Sequence, residues 1–387
     1  MIYFDNAATT IKKPRVVWSQ TIKFCKKYGA NAGRGQHELS QIASISIQKT
    51  KDKLKKFLRC AHFHSVAFTP SATIAINVVL KGLDFSKIQN VYISPFEHNS
   101  VLRTLYALQE HHLFTIHQLS VTEDGVFDLD KIAEHFAKDK PNLMVVSHVS
   151  NVCGTIAPIE QLCQLAKRSF AVCVIDMSQS CGLIDLPLRK VNADFFIFAG
   201  HKTLHAFYGV AGIIYRQSAR LKCFIHGGTG VDSQSRRMPE ELSSQIAGSS
   251  NILAIKSLDV ALTYLAKKGI ANIEAKERQL TKVLKKILSR FDFIKIIGDN
   301  AQSISVVSAT FEGMSPEGVA AFLNRHKICV RAGLHCSPLA HRHFNTLPLG
   351  TLRLSIDFFT KRSDLRRLNG ALKKLQKTVT NKKKKAS

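Results

Sequence analysis

The 387-residue sequence predicts an α/β fold: a large domain with a mainly parallel seven-stranded sheet flanked by helices, plus a smaller α+β domain. Three observations point there. Short apolar runs alternate with helical periodicity through the middle of the chain, which is the pattern of a parallel sheet covered on both faces. That alternation stops near Ile252, where helices and strands follow one another less regularly. The composition, 45% hydrophobic and 21% charged, is that of an ordinary globular chain with length enough for a sizeable core.

Seven apolar runs read as the strands, over 65–68, 90–93, 114–118, 143–146, 172–175, 194–198 and 212–215. Helical patterns between them cover 73–81, 100–109, 129–138 and 159–169. The Gly/Ser-rich stretch 227–251 reads as an extended loop, a kind of segment that tends to be functional or mobile. Beyond it come helices over 252–268 and 273–290, strands over 294–297 and 303–310, and a helix over 316–326. Strands near 329–331 and 352–356 and a C-terminal helix complete the pattern. The division expected is a large domain over 15–256, a small one from 1–14 with 257–387, and a disordered basic tail over 380–387.

Lys and Arg number 55 against 28 acids, a formal net charge of +27. The cations are scattered, without the aromatic interleaving of RNA-binding modules, so the charge does not define the activity. The densest run, from Lys361 to Lys385, leaves room for weak contact between the tail and nucleic acid or another acidic partner. No run of eighteen apolar residues suggests a spanning helix, and Met1-Ile2-Tyr3-Phe4-Asp5-Asn6 lacks the layout of a secretory signal. Nine cysteines without paired spacing, several inside apolar runs, fit a reducing compartment, so a cytoplasmic chain is expected.

Chemistry concentrates at the ends of three strand runs. Ala199-Gly200-His201-Lys202 follows the run Phe195-Phe196-Ile197-Phe198. A lysine at the mouth of a buried strand loses hydration, which lowers its pKa and frees its amine as a nucleophile for carbonyls. Val174-Ile175-Asp176 is an apolar strand ending in a carboxylate that needs a cationic partner. Phe68-Thr69-Pro70-Ser71-Ala72-Thr73 passes from strand to helix, and a helix N-terminus rich in small hydroxyl residues suits a phosphate. Alone, each has a plain alternative: Lys202 on the surface, Asp176 as a loop cap, Ser71 and Thr73 as helix caps. Strand ends of one open sheet converge on a common crevice, however. An anion cradle, a carboxylate and an amine gathered there specify pyridoxal phosphate.

With these motifs the chain resembles the class V aminotransferase fold group, and within it the cysteine desulfurase and selenocysteine lyase branch. The likeness runs from Tyr3-Phe4-Asp5-Asn6-Ala7-Ala8-Thr9-Thr10 to Gly350-Thr351-Leu352-Arg353-Leu354-Ser355. Between them lie Gly33-Arg34-Gly35-Gln36-His37, Glu97-His98-Asn99, His148-Val149-Ser150-Asn151, Gly200-His201-Lys202 and Arg331-Ala332-Gly333-Leu334-His335-Cys336. The resemblance implies fold type I of the pyridoxal-phosphate-dependent transferases. It also implies roles. Lys202 would carry pyridoxal 5'-phosphate covalently, Asp176 would pair with the pyridinium nitrogen, and His98 would stack on the ring. Gln179 and Asn151 would approach the ring hydroxyl and the substrate, while Ser71, Ala72, Thr73 and His201 would hold the phosphate.

Arg353 would clamp the substrate carboxylate, a task to which guanidinium geometry is suited. Asn6, His37 and Arg34 would lie toward the substrate. Ser249 would reach the phosphate of the other subunit of a homodimer. Cys336 marks the desulfurase branch: its thiolate would take the sulfur of L-cysteine, leaving L-alanine and a persulfide for an acceptor protein or small thiol. Basic neighbours from Arg331 to His343 supply the electropositive setting such a thiolate needs. A zinc site from Cys336, His341 and His343 is disfavoured, because the family implies no metal.

The alternatives are a selenocysteine lyase, a cysteine C–S lyase, or a degenerate member that binds without catalysing. Four departures from the family pattern bear on the last. Ala199 stands where relatives carry a phosphate-binding serine, Ile74 replaces a common acidic residue, and Phe359 replaces an asparagine. Ile246-Ala247-Gly248-Ser249 keeps only the hydroxyl of its usual motif.

Overall fold

Apolar side chains that alternate along each strand find cover on both sides, and this makes the large sheet the centre of the molecule. The structure is a computed structural model that describes residues 1–33, 35–230, 234–246 and 248–386, with side chains through residue 378. Arg34 and Ala247 lie outside the described residues.

In chain order the first half runs β1 (Ile2–Tyr3), α1 (Arg15–Tyr28), α2 (Glu38–Phe57), β2 (His64–Thr69) and α3 (Ala72–Gly82). It continues through β3 (Asn90–Ile93), α4 (Asn99–Gln109), β4 (Thr115–Gln118), α5 (Leu129–Lys138), β5 (Leu143–Ser147) and α6 (Ile159–Lys167). Then come β6 (Val172–Asp176), β7 (Phe195–Ala199), β8 (Ala211–Arg216), α7 (Leu242–Gln245) and α8 (Ile252–Lys268). The last third holds α9 (Ile270–Leu288), β9 (Ile294–Ile297), β10 (Val306–Phe311), α10 (Pro316–Arg325) and β11 (Ile328–Cys329). It closes with β12 (Arg331–Gly333), α11 (Pro338–His343), β13 (Thr351–Ser355) and α12 (Arg362–Ala386).

The seven-stranded sheet has the order β2-β8-β7-β6-β5-β3-β4. Only β8 runs antiparallel to its neighbours. Met144, Val146, Ile175, Phe196 and Phe198 point to one face, against α5, α6 and α8. Leu143, Val145, Val174, Phe195 and Ile197 point to the other, against α3 and α4. Burial on both faces is why these strands read as unbroken apolar runs.

A second, antiparallel sheet, β12-β13-β10-β9, packs with α9, α10 and α12 around its own core. Ile2 and Phe4 belong to that core, and β1 pairs with β11, so the chain begins in the smaller layer.

Three expectations need correction. The boundary expected at 256/257 falls inside α8, whose Leu258, Leu262 and Leu265 stay in the large-sheet core. The break comes instead at Gly269, whose φ of +78° turns the chain between α8 and α9. The strand read over 329–331 is two strands on different sheets, β11 and β12. The loop 227–251 contains the single turn α7. The α12 backbone runs to Ala386, into the stretch read as a basic tail.

Candidate active site

Parallel register brings three strand ends level. Ser147 of β5 lies beside Asp176 of β6, and Asp176 beside Ile197 of β7, two residues before that strand ends. A cavity of about 330 Å³ opens at this edge, between the two sheets. Gly200 lets the chain leave β7 sharply: its N–H donates to Val210 O at 2.9 Å, and a Cβ there would stand 2.6 Å from the same oxygen. The turn delivers Lys202 to the cavity. Desolvation pushes the Lys202 pKa down, opposed by the charge of Asp176.

Asp176 is buried, with Oδ1 accepting from Ser178 N at 2.8 Å. Ser178 lines the cavity, and its hydroxyl is buried without a partner among the described residues. Ser71 caps α3 by accepting from Ile74 N at 3.3 Å. The first-turn amides of Ala72 and Thr73, which a helix cannot satisfy internally, belong to residues lining the same space. His98 caps α4 through Nδ1, which accepts from Ser100 N at 3.0 Å, and it lines the cavity as well. Burial, with Lys202 nearby, pushes the His98 pKa down. The His201 ring stacks on Tyr208 at 4.4 Å, and burial pushes its pKa down to about 4.

The N-terminal segment straps these groups together. Gln179 Nε2 donates to Ala7 O at 2.8 Å. Thr10 Oγ1 donates to Lys202 O at 2.9 Å, and Lys13 Nζ to His201 O at 2.7 Å. Asp5 accepts from Arg353 NH2 at 3.0 Å through Oδ1 and from Arg331 NH2 at 3.0 Å through Oδ2. Arg353 is deeply buried, and its Nε has no partner among the described residues. Beneath the cavity Glu97 is enclosed, accepting from Ser94 Oγ, from Ser147 N at 2.7 Å and from Ser147 Oγ at 2.9 Å. Its burial raises its pKa to about 7.

At the mouth stands Cys336, exposed, while the other eight cysteines are buried or half-buried. His335 and Cys336 both have positive φ, 50° and 59°.

Of the residues singled out in the sequence, Lys202, Asp176, Gln179 and His98 line this one cavity. So do Asn151, Ser71, Ala72, Thr73, His201, Cys336 and Arg353. Three do not. Asn6 is buried but spends its amide on Ser355 O at 3.0 Å and Tyr3 O at 3.3 Å, tying β1 to β13. His37 is an exposed helix cap whose Nδ1 accepts from Ser40 N at 3.2 Å. Ser249 is exposed and outside its own chain's cavity.

Ser147, Ser178 and Tyr208 were not foreseen. The signal for Ser147 was available, since it ends an apolar run as Asp176 does. Tyr208 had none, because its place depends on stacking. Ala199 offers the cavity no hydroxyl.

The family model that matches this sequence, Aminotransferase class-V, covers residues 2–368. A probable cysteine desulfurase of Pyrococcus abyssi (strain GE5 / Orsay) is 30% identical, over 98% of this chain and 95% of the other. One from Methanothermobacter thermautotrophicus is 29% identical, over 97% of this chain and 94% of the other. Among solved structures, the apo cysteine desulfurase of Thermococcus onnurineus NA1 superposes with a TM-score of 0.91 at 28% identity, covering 97% of this chain and 95% of that one.

Proposed function

This chain belongs to the class-V aminotransferase family and within it to the cysteine desulfurases, and from that premise we propose that it converts L-cysteine to L-alanine and keeps the sulfur as a persulfide on Cys336. One observation carries the reading: the single exposed thiol among the described residues lines the same cavity as the desolvated amine of Lys202. Arg331 and Arg353 line that cavity as well.

The residues present fit pyridoxal 5'-phosphate. The cavity offers an amine for its aldehyde (Lys202), a buried carboxylate for its ring nitrogen (Asp176) and helix-start amides with hydroxyls for its phosphate (Ala72, Thr73, Ser71). The unpartnered Ser178 hydroxyl also awaits a polar group, in a site where Ala199 has given one up. His98 Nδ1 is held by the α4 cap, and His98, Gln179 and His201 complete the cradle. When bound, the cofactor supplies an electron-poor heterocycle that stabilises negative charge on the substrate α-carbon.

The chain's own groups do the rest. Arg353, with Nε unpaired, takes the substrate carboxylate, and Lys202 Nζ moves the α-proton. Cys336 Sγ attacks the sulfur of cysteine. The new S–S bond forms as the substrate C–S bond breaks, and its electron pair stays on carbon, which is protonated to the methyl group of alanine. Cysteine plus thiol gives alanine plus persulfide, with no outside oxidant. The terminal sulfur then passes to an acceptor protein or small thiol. In a homodimer the exposed Ser249 is free to complete the phosphate site of a second copy.

The test is incubation of the cofactor-loaded chain with L-cysteine, followed by peptide mass analysis and amino-acid assay. One sulfur added to the Cys336 peptide and alanine in solution are expected, and Cys336→Ala should yield neither. Pyruvate in place of alanine would mean C–S lyase chemistry instead. Turnover of selenocysteine that survives Cys336→Ala would identify a selenocysteine lyase.

A further inference from the structure

We propose that Asn151 is a positioning residue for the Cys336 thiol, its side-chain amide holding the residues on either side of the cysteine. The inference rests on the desulfurase reading for its purpose and on geometry for its substance. Asn151 Nδ2 donates to the carbonyl of His335 at 2.7 Å, and Asn151 Oδ1 accepts from Ser337 Oγ at 2.7 Å. Both polar ends of the amide are engaged, and Asn151, His335 and Ser337 are all buried, whereas Cys336 between them is exposed. A third bond, Asn99 N to Cys336 O at 2.7 Å, fixes the cysteine's own backbone.

The turn needs such restraint. His335 and Cys336 adopt φ of 50° and 59° in succession, a conformation that ordinary side chains disfavour by roughly 1–2 kcal/mol per residue. Strained backbone persists only where its surroundings dictate it, and such places cluster at functional sites. The local turn supplies only Ser337 N to Leu334 O at 3.0 Å. The His335 ring is pinned separately, with Nε2 3.0 Å from Thr351 Oγ1.

Asn151 is itself well anchored. Ser150 Oγ accepts from Val152 N and Cys153 N, both at 3.2 Å, and the Asn151 carbonyl accepts from Arg353 NH1 at 3.0 Å. One residue therefore ties the group that would grip the substrate carboxylate to the loop that carries the thiol. Contact with the cofactor ring or the substrate would require the amide to release that loop.

The experiment uses holoenzyme variants Asn151→Ala, Ser337→Ala and Ser337→Thr. Three readouts are taken: iodoacetamide alkylation of Cys336 without substrate, followed on its peptide by mass; kcat and KM for cysteine; and visible absorbance of the bound cofactor. Asn151→Ala and Ser337→Ala should change the alkylation rate at least threefold and lower kcat at least tenfold, with KM within twofold and absorbance unchanged. Ser337→Thr, which keeps the hydroxyl, should restore both rates. Unchanged alkylation, with the loss falling on KM or on cofactor affinity, would overturn the proposal and make the amide a ligand group. Failure of wild type to form a persulfide would sink the desulfurase reading alone, because the alkylation rates still report the bracket.

Discussion

The Arg353 guanidinium is shared between Asp5 and the Asn151 carbonyl, yet keeps Nε free, and this division sets what a substitution there should do. Arg331 pairs with the same aspartate but is about half exposed, so water screens it, whereas the Arg353 side chain is 3% exposed. The buried pair dominates. Arg353→Lys keeps a charge for Asp5 but loses the planar fork. A charge-assisted hydrogen bond is worth roughly 1.5–3 kcal/mol, about one to two decades of affinity. Steady-state kinetics should show KM for cysteine raised by about that much, with Cys336 alkylation in the absence of substrate little affected. Arg353, Lys202, Asp176 and Cys336 were legible because each follows or ends an apolar strand run, or sits in a motif of unusual composition. Asp5 was visible as a motif residue only, since its partner lies 348 residues away and nothing local signals a contact of that span. For His37 the legible signal is a local one, the helix cap in which its Nδ1 accepts from Ser40 N.

The β12 and β13 strands set Arg331 opposite Arg353, and the chain between them holds Cys336 and α11, so the geometry of the site depends on how that connection closes. Gly350 closes it. Its φ is +77°, and a Cβ there would fall 2.2 Å from Gly333 O, a backbone atom with nowhere to move. Gly350→Ala should therefore part β13 from β12, lowering the midpoint of denaturant unfolding and kcat together. Gly333→Ala is the comparison: φ is +105° but no atom lies within 4 Å of the added Cβ, so the loss should be clearly smaller. At this scale the large sheet was legible almost strand by strand, because two-sided burial demands unbroken apolar runs. The helices α1 and α2 were not. The face that α2 buries is Ser40, Ala43, Ser46, Thr50 and Leu54, small and hydroxyl-bearing residues whose helical spacing carries little hydrophobic signal. The α8 boundary slipped for a related reason, as the change of pattern at Ile252 marks a new helix rather than a new core.

Across the whole molecule, buried titratable groups decide how stability follows pH. Burial pushes the pKa of His64, His148, His201 and His341 down to about 4, that of His205 to about 3 and that of His335 to about 2. Below about pH 6.5 each binds a proton in the unfolded chain and not in the folded one, so stability falls as the pH drops. Three buried carboxyls act the other way. Glu97 is pushed up to about 7, Glu277 to about 8 and Asp357 to about 6, so the folded chain holds protons that the unfolded chain has already released. Six histidines outweigh three carboxyls, and added protons also increase the repulsion of a chain already at +27. Unfolding midpoints should therefore rise from about pH 4.5 to 6.5. Above 6.5 the histidines no longer contribute, and Glu277 opposes Lys13, whose pKa is lowered to about 7 and which favours the folded state as the pH rises further. The curve should level off there. Glu277→Gln removes one of the opposing carboxyls, whose partner is Ser305 Oγ, so the rise between 4.5 and 6.5 should steepen by about one proton in the linkage slope. Denaturant titrations at closely spaced pH values measure that slope directly. A variant curve parallel to wild type would mean that Glu277 stays ionised within the fold.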